Sequence, residues 1–316
     1  MRDVYLCVSI DCECDKGPGW RSRAPLSFVS VVDGIAGRLQ PLFERHGARP
    51  TYLLSPEVLR DDASLHALRT LDARGGCELG THLHGEYAEP GAHLPQVTAD
   101  FQRDYPPELE RAKLGSLTAA FARAFGRAPR SFRAGRFGVG AHTLGFLAEL
   151  GYSVDSSVTP HMNWADVGAP GLDFAGAPTQ PYHPDPARPG RPGACRLIEI
   201  PVTIRPSRWF LPPRWLRPTR SSAARLIAVA RAEISAARAR ARTAPVVLNA
   251  MFHNVEIIPG ASPYAQTEAA AARILASLAG LLAFARDTGI RVVGLDQAAE
   301  LYTFTDARSE AAELHA

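Results

Sequence analysis

Two short segments carry residue types that can hold and use a metal ion. Residues 4–13 read VYLCVSIDCE, a hydrophobic run ending in Asp11 and Glu13, two positions apart. Side chains along a strand alternate between faces, so these carboxylates point one way while Ile10 and Cys12 point the other. Residues 77–81 form a second strand-like run, which delivers His82 and His84 at the same period of two. Imidazole with carboxylate is a standard donor set for zinc and related first-row ions. Glu13, His82 and His84 therefore make a candidate three-ligand site with a position left open, and Glu86 is the replacement ligand if His84 points away. Water on such an ion has its pKa lowered to about 7, so hydroxide is available at neutral pH. Asp11, beside the ion rather than on it, is placed to take the proton. A thiolate site from Cys12, Cys14 and Cys77 is the competing arrangement.

Three later segments add further candidates. Residues 131–138, SFRAGRFG, put Arg133 and Arg136 at a strand end followed by glycine. Residues 151–157, GYSVDSS, end the next strand in Asp155, and residues 246–254, VVLNAMFHN, form a buried strand ending in His253.

In this order, SIDCE, THLH, RAGRFG, DSS and FHN resemble the motifs of the polysaccharide deacetylases of the NodB-homology type, carbohydrate esterase family 4. The resemblance spans residues 4–263 and looks like a divergent, cytoplasmic branch. It implies a distorted parallel β/α barrel and a metal-dependent hydrolase that removes N-acetyl groups from an N-acetylated carbohydrate, a sugar or glycan precursor. It further implies that Asp11 is the general base and that Glu13, His82 and His84 hold a divalent ion, zinc first. Arg133 would orient Asp11 through a charge-assisted bond. His253 would protonate the departing amine, with Asp155 tuning it, and the ion with a backbone N–H would stabilise the oxyanion. Three positions depart from the family pattern: the adjacent acid pair becomes Asp11-Cys12-Glu13, the histidine spacing of four becomes two, and Gly135 replaces a proline. Arg136 is a substrate-binding candidate. An amidohydrolase-type barrel, which also uses His-x-His, places that pair after its first strand, where this chain has carboxylates. A catalytically inactive carbohydrate-binding protein is the third possibility, and the retained Asp11, Arg133, Asp155 and His253 argue against it.

Positioning these residues requires strands that alternate with helices. Strand-like runs at 4–10, 51–54, 78–81, 132–133, 153–155, 197–202, 246–251 and 291–293 are separated by helical patterns at 29–46, 63–74, 109–125, 142–150, 223–240 and 266–287. Such alternation predicts a parallel sheet with helices outside it. Seven or eight units favour a closed α/β barrel in one domain, residues 1–304, followed by a tail at 305–316. Residues 161–194, with PYHPDPARPGRPG at their centre, interrupt the pattern as an irregular insertion, either a plain surface loop or one that covers the site. The tract 257–264, IIPGASPY, follows the proposed acid as a helix-entry turn or as a frame for a sugar pocket. Trp20, Trp164, Trp209 and Trp215 fall in loop-like regions where one or two could stack on sugar rings.

Composition bounds the rest. A chain of 316 residues that is 46% hydrophobic and 21% charged can bury a large core. A net charge of +3 gives no case for nucleic acid, and Lys16 and Lys113 are the only lysines, so the basic charge is almost all arginine. Five cysteines with no CxxC pair suit reduced thiols better than a disulfide framework. Residues 1–3 lead straight into a strand with no apolar signal core, and no run reads as a membrane span, so the expected location is the cytoplasm.

Overall fold

Every residue of β1 (Val4–Cys12) is buried, and its two faces do different work. Val4, Leu6, Val8, Ile10 and Cys12 join the large cluster under the helices, while Tyr5 and Cys7 join a smaller inner cluster. Ser9 and Asp11 continue that inner face as polar residues. A strand buried on both sides reads as a continuous hydrophobic run, which is why β1 is so evident in the sequence.

The computed structural model describes residues 3–91, 101–165, 168–207, 211–240 and 244–303. Beside β1 lie β2 (Thr51–Leu54), β3 (Glu78–Leu83), β4 (Ser131–Ala134), β5 (Val154–Asp155), β8 (Ile198–Glu199), β11 (Val246–His253) and β12 (Arg291–Val292). They form one eight-stranded sheet in the order β11-β1-β2-β3-β4-β5-β8, with β12 against β1, and all its pairings are parallel. The edges β8 and β11 approach through irregular contacts: the Thr203 N–H donates to the Asn249 carbonyl at 2.9 Å, and the Asn249 N–H to Thr203 Oγ1 at 2.8 Å. The architecture is thus a distorted parallel β/α barrel.

The helical layer follows the predicted segments with small shifts. A π-helical turn, Ser30–Leu39, runs into α1 (Gln40–Arg45), and α2 (Asp62–Ala73), α3 (Pro107–Phe125), α4 (Thr143–Glu149), α5 (Ala223–Arg240) and α6 (Glu268–Thr288) follow. Asp61 caps α2 by accepting from the Ser64 N–H, and Gly126 ends α3 in the left-handed region that glycine tolerates. The expectation of no membrane-length run needs correction at α6, whose 21 residues are apolar and long enough by length and composition to cross a bilayer. Here α6 lays Ile274, Leu278, Leu281 and Leu282 into the core.

The insertion at 161–194 is more ordered than its composition suggests. Its Pro-rich centre forms an antiparallel hairpin of β6 (Pro184–Asp185) and β7 (Arg188–Pro192). A second small pair, β9 (Ile204–Arg205) with β10 (Arg214–Trp215), lies beyond it. All five cysteines are buried and free. Trp209 and the tail at 305–316 lie outside the described residues.

Candidate active site

The alternation that builds the barrel gathers the chemistry at the carboxyl ends of its strands, where such barrels carry their functional residues. Register does the rest. Asp11 stands beside His253 across the β1–β11 pair, and His82 beside Arg133 across β3–β4. Leu79 and Leu83 of β3 face the helices, so His82 and His84 face inward. They open into a cavity of about 400 Å³ whose wall includes Trp20, Trp164, Arg217 and Tyr264.

Glu13 Oε1 is the centre of the cluster. It lies 3.1 Å from His84 Nε2, 3.3 Å from His82 Nε2 and 3.7 Å from His253 Nε2. Asp11 Oδ2 is 3.9 Å from His82 Nε2 and 3.8 Å from His253 Nε2. Each ring is held through its other nitrogen. His82 Nδ1–H donates to the Arg133 carbonyl at 3.0 Å, which leaves Nε2 with its lone pair inward. His84 Nδ1 faces Glu86 at 3.3 Å, and His253 Nδ1 faces Glu256 at 2.8 Å. A metal-binding histidine is typically oriented by such a partner on its second nitrogen.

The acids are fixed as firmly. Arg133 is fully buried and donates to Asp11 Oδ1 at 2.6 Å, to Ser9 Oγ at 2.6 Å and to the Ser156 carbonyl at 2.7 Å. Burial pushes the Asp11 carboxyl up, but Arg133, aided by His82 and His253, outweighs it and holds the group below its ordinary range. Lys16 Nζ sits 3.1 Å from Glu13 Oε2, so Glu13 gives one oxygen to the lysine and the other to the histidines. Burial raises Glu13 as well, yet Lys16 and the histidines bring it well below the usual value. Burial alone would lower His84; Glu13 and Glu86 push it up to about 9.

These residues fit a divalent ion. Among the described residues the one cluster with convergent donor atoms is Glu13, His82 and His84, all within 4.8 Å of one another. Tetrahedral zinc with bonds of 2.0–2.1 Å separates its ligand atoms by about 3.3 Å, close to the spacing around Glu13 Oε1. Two buried carboxylates against inward imidazole lone pairs also demand a cation, and a proton on His84 is the alternative occupant. The thiolate arrangement fails on geometry: Cys12 points into the helix-side core, and Cys14 Sγ lies toward the Tyr87 hydroxyl at 3.8 Å.

One expected role needs correction, and one alternative is not called on. Because His84 faces inward, Glu86 is its partner and not its replacement, and it also accepts from Arg136 Nη2 at 2.6 Å. Arg136 does line the cavity, but as a member of that ion pair. Asp155 does not reach His253. Val154 belongs to the inner cluster, so the next residue of β5 faces away from the barrel interior. There Asp155 accepts from Ser157 Oγ at 2.6 Å and pairs with Glu199, whose carboxyl is pushed well above its ordinary value by burial and then by the Asp155 charge. The carboxylate on His253 is Glu256, which also accepts from Arg217 and Thr219. Glu256 and Lys16 are the residues that the sequence reading missed. His253-x-x-Glu256 and Glu13-x-x-Lys16 were the available signals, since a tight turn brings residues three apart together.

Comparison with solved structures agrees on architecture. A Mycobacterium smegmatis protein provisionally assigned as a polysaccharide deacetylase superposes with a TM-score of 0.56 at 19% identity, over 96% of this chain and 91% of that one. A Parabacteroides distasonis protein provisionally assigned as a glycoside hydrolase/deacetylase gives 0.67 at 12% identity, over 95% and 71%. The fold is that of the polysaccharide deacetylases. A GH57-type branching enzyme from Pyrococcus horikoshii shares it too, with a TM-score of 0.56 at 11% identity over 93% and 69%, so the architecture alone does not select a reaction. No family model matches the sequence, and no curated protein matches it.

Proposed function

We propose that this chain is a metal-dependent deacetylase that hydrolyses the amide of an N-acetylated sugar or glycan precursor, with zinc at Glu13, His82 and His84. One observation carries this reading. Three imidazole Nε2 atoms and two ionised carboxylates face one cavity, and each ring is fixed through Nδ1.

The bound ion would polarise the acyl oxygen and the attacking water. Asp11 is suited to take a proton: Arg133 holds one of its oxygens and keeps it ionised, while the other faces the cavity. His253, with Glu256 on Nδ1, presents Nε2 on the Asp11 side of the cavity, where it can donate to a departing amine. Trp20 packs edge-on to His253 at 5.1 Å between ring centroids. Glycoside cleavage is less well supported. It requires a carboxyl kept protonated as the acid, whereas Asp11 and Glu13 are both held below their ordinary range.

The test is acetate release from a panel of acetylated saccharides by zinc-loaded protein, before and after chelation. Asp11→Asn is expected to lower kcat by about 10³-fold or more with the zinc content unchanged. Hydrolysis within a factor of ten of the unmodified chain would remove Asp11 from the reaction.

A further inference from the structure

The inner wall of the cavity is electrically settled. Lys16 pairs with Glu13 at 3.1 Å, Arg133 with Asp11 at 2.6 Å and Arg136 with Glu86 at 2.6 Å, while Arg217 pairs with Glu256. Two more arginines differ: Arg21 lines this cavity, and Arg220 lines the adjoining cleft, which shares Tyr264 with it. Arg21 and Arg220 are exposed, and among the described residues neither has a carboxylate partner. Arg21 lines the cavity next to Trp20, and the Arg220 guanidinium lies 5.1 Å from the ring centre of Tyr264, which lines the cavity as well.

This mouth is a built wall. The Lys16 and Gly17 N–H groups both donate to the Ala261 carbonyl, at 2.9 and 3.0 Å, and the Arg21 N–H donates to the Lys16 carbonyl at 2.8 Å. The turn at 17–21 is thereby tied to the loop that carries Tyr264. Trp20 is held at φ +54°, a region that large L-residues seldom adopt. Its ring meets Tyr264 edge-on at 5.4 Å, yet the residue remains 36% exposed. The indole with Arg21 next to it, and the Tyr264 ring with Arg220 over it, offer a surface for a sugar ring and guanidinium forks for anionic oxygens.

We propose that Trp20, Arg21 and Arg220 form an anion subsite at the mouth, so that the preferred substrate is an N-acylated sugar bearing a phosphoryl or carboxylate group. The hydrolytic step rests on the deacetylase reading; the binding preference does not. Because the four inner carboxylates are already paired, the two outer arginines leave the mouth positive, which favours an anionic ligand.

Binding and turnover test this separately. Zinc-loaded Asp11→Asn protein is titrated calorimetrically with N-acetylglucosamine, N-acetylglucosamine 1-phosphate, N-acetylmuramic acid and inorganic phosphate. At least one charged sugar is expected to bind ten times more tightly than the neutral sugar and than phosphate alone, with the advantage shrinking as salt rises. The phosphate and carboxylate arms identify which anion the subsite takes. Adding Arg21→Gln and Arg220→Gln should reduce the advantage to within threefold and leave the neutral sugar within twofold; Arg21→Glu with Arg220→Glu should abolish it. Equal binding of charged and neutral sugars, or an advantage that survives the substitutions, overturns the proposal. In parallel, zinc-loaded wild-type protein is assayed for acetate release. Charge-selective binding without acetate release leaves the subsite standing and removes the deacetylase reading, whereas acetate release without selectivity does the reverse.

Discussion

The two ends of β3 bury ionisable groups to the same degree and use them in opposite ways. At its carboxyl end, His82 and His84 turn nitrogen lone pairs toward the oxygens of Glu13. At its amino end, Glu78 is equally buried, but hydroxyl and amide donors surround it: Thr51 Oγ1 donates at 2.7 Å, the Asp296 N–H at 3.2 Å, and Ser131 Oγ also donates. The first cluster gathers imidazole nitrogens and carboxylate oxygens around one point, where a shared proton or a metal ion has to lie between them. The second is a carboxyl already supplied with its donors. Burial of charge therefore does not mark a reactive site by itself; convergence of imidazole and carboxylate donor atoms on one point does.

The most severe way to break that contrast is to remove a ligand from the upper cluster. His82→Ala and His84→Ala are each expected to strip zinc during dialysis and to lower acetate release by about 10³-fold or more. Glu78→Gln, at the other end of the same strand, should keep one zinc per chain. Metal analysis of the three dialysed proteins decides it, and full zinc occupancy in His82→Ala would dissolve the distinction.

A second comparison sets Glu256 against Asp155, two buried carboxyls that the sequence ranks in reverse. Glu256→Gln should lower kcat by about 10–100-fold, since it weakens the bond that aims His253. Asp155→Asn should change kcat by less than about threefold, because Asp155 pairs with Glu199 on the far side of the sheet and does not reach the cavity. Steady-state kinetics of the two variants, with zinc content checked in each, decides between the roles.

These two residues also mark where sequence reading stops. Period-two alternation made Asp11, Glu13, His82 and His84 legible, because β1 and β3 are long enough to reveal which face is inward. β5 is only two residues long, and there the assignment turned on parity: Val154 fills the barrel, so Asp155 must leave it. Glu256 sits in a turn just past β11, where contact depends on loop geometry and no periodicity applies. The prolines at 184, 189 and 192 read as breakers, yet they occupy the hairpin β6–β7, a two-stranded piece in which each strand has a free edge. Lys16 was visible as one of two lysines, but its bond to Glu13 depends on the turn that follows β1.

The smallest effect concerns stability, and Glu78 supplies it. Burial, and after it the charge of Asp296, push the Glu78 carboxyl up from 4.5 to about 7. The folded chain thus holds a proton that the unfolded chain releases near pH 4.5. Between about 4.5 and 7 the unfolded state binds fewer protons at this position, so the Glu78 contribution is full below that window and is lost as pH rises through it. Glu78→Gln removes the titration. Its stability should change less between pH 5 and 8 than that of the unmodified chain, with an advantage on the order of 1 kcal/mol at pH 8. Urea denaturation of both proteins at pH 5 and pH 8 measures this directly. Parallel pH dependence in the two would mean that the proton resides elsewhere in the cluster, with Asp296 the next group to substitute.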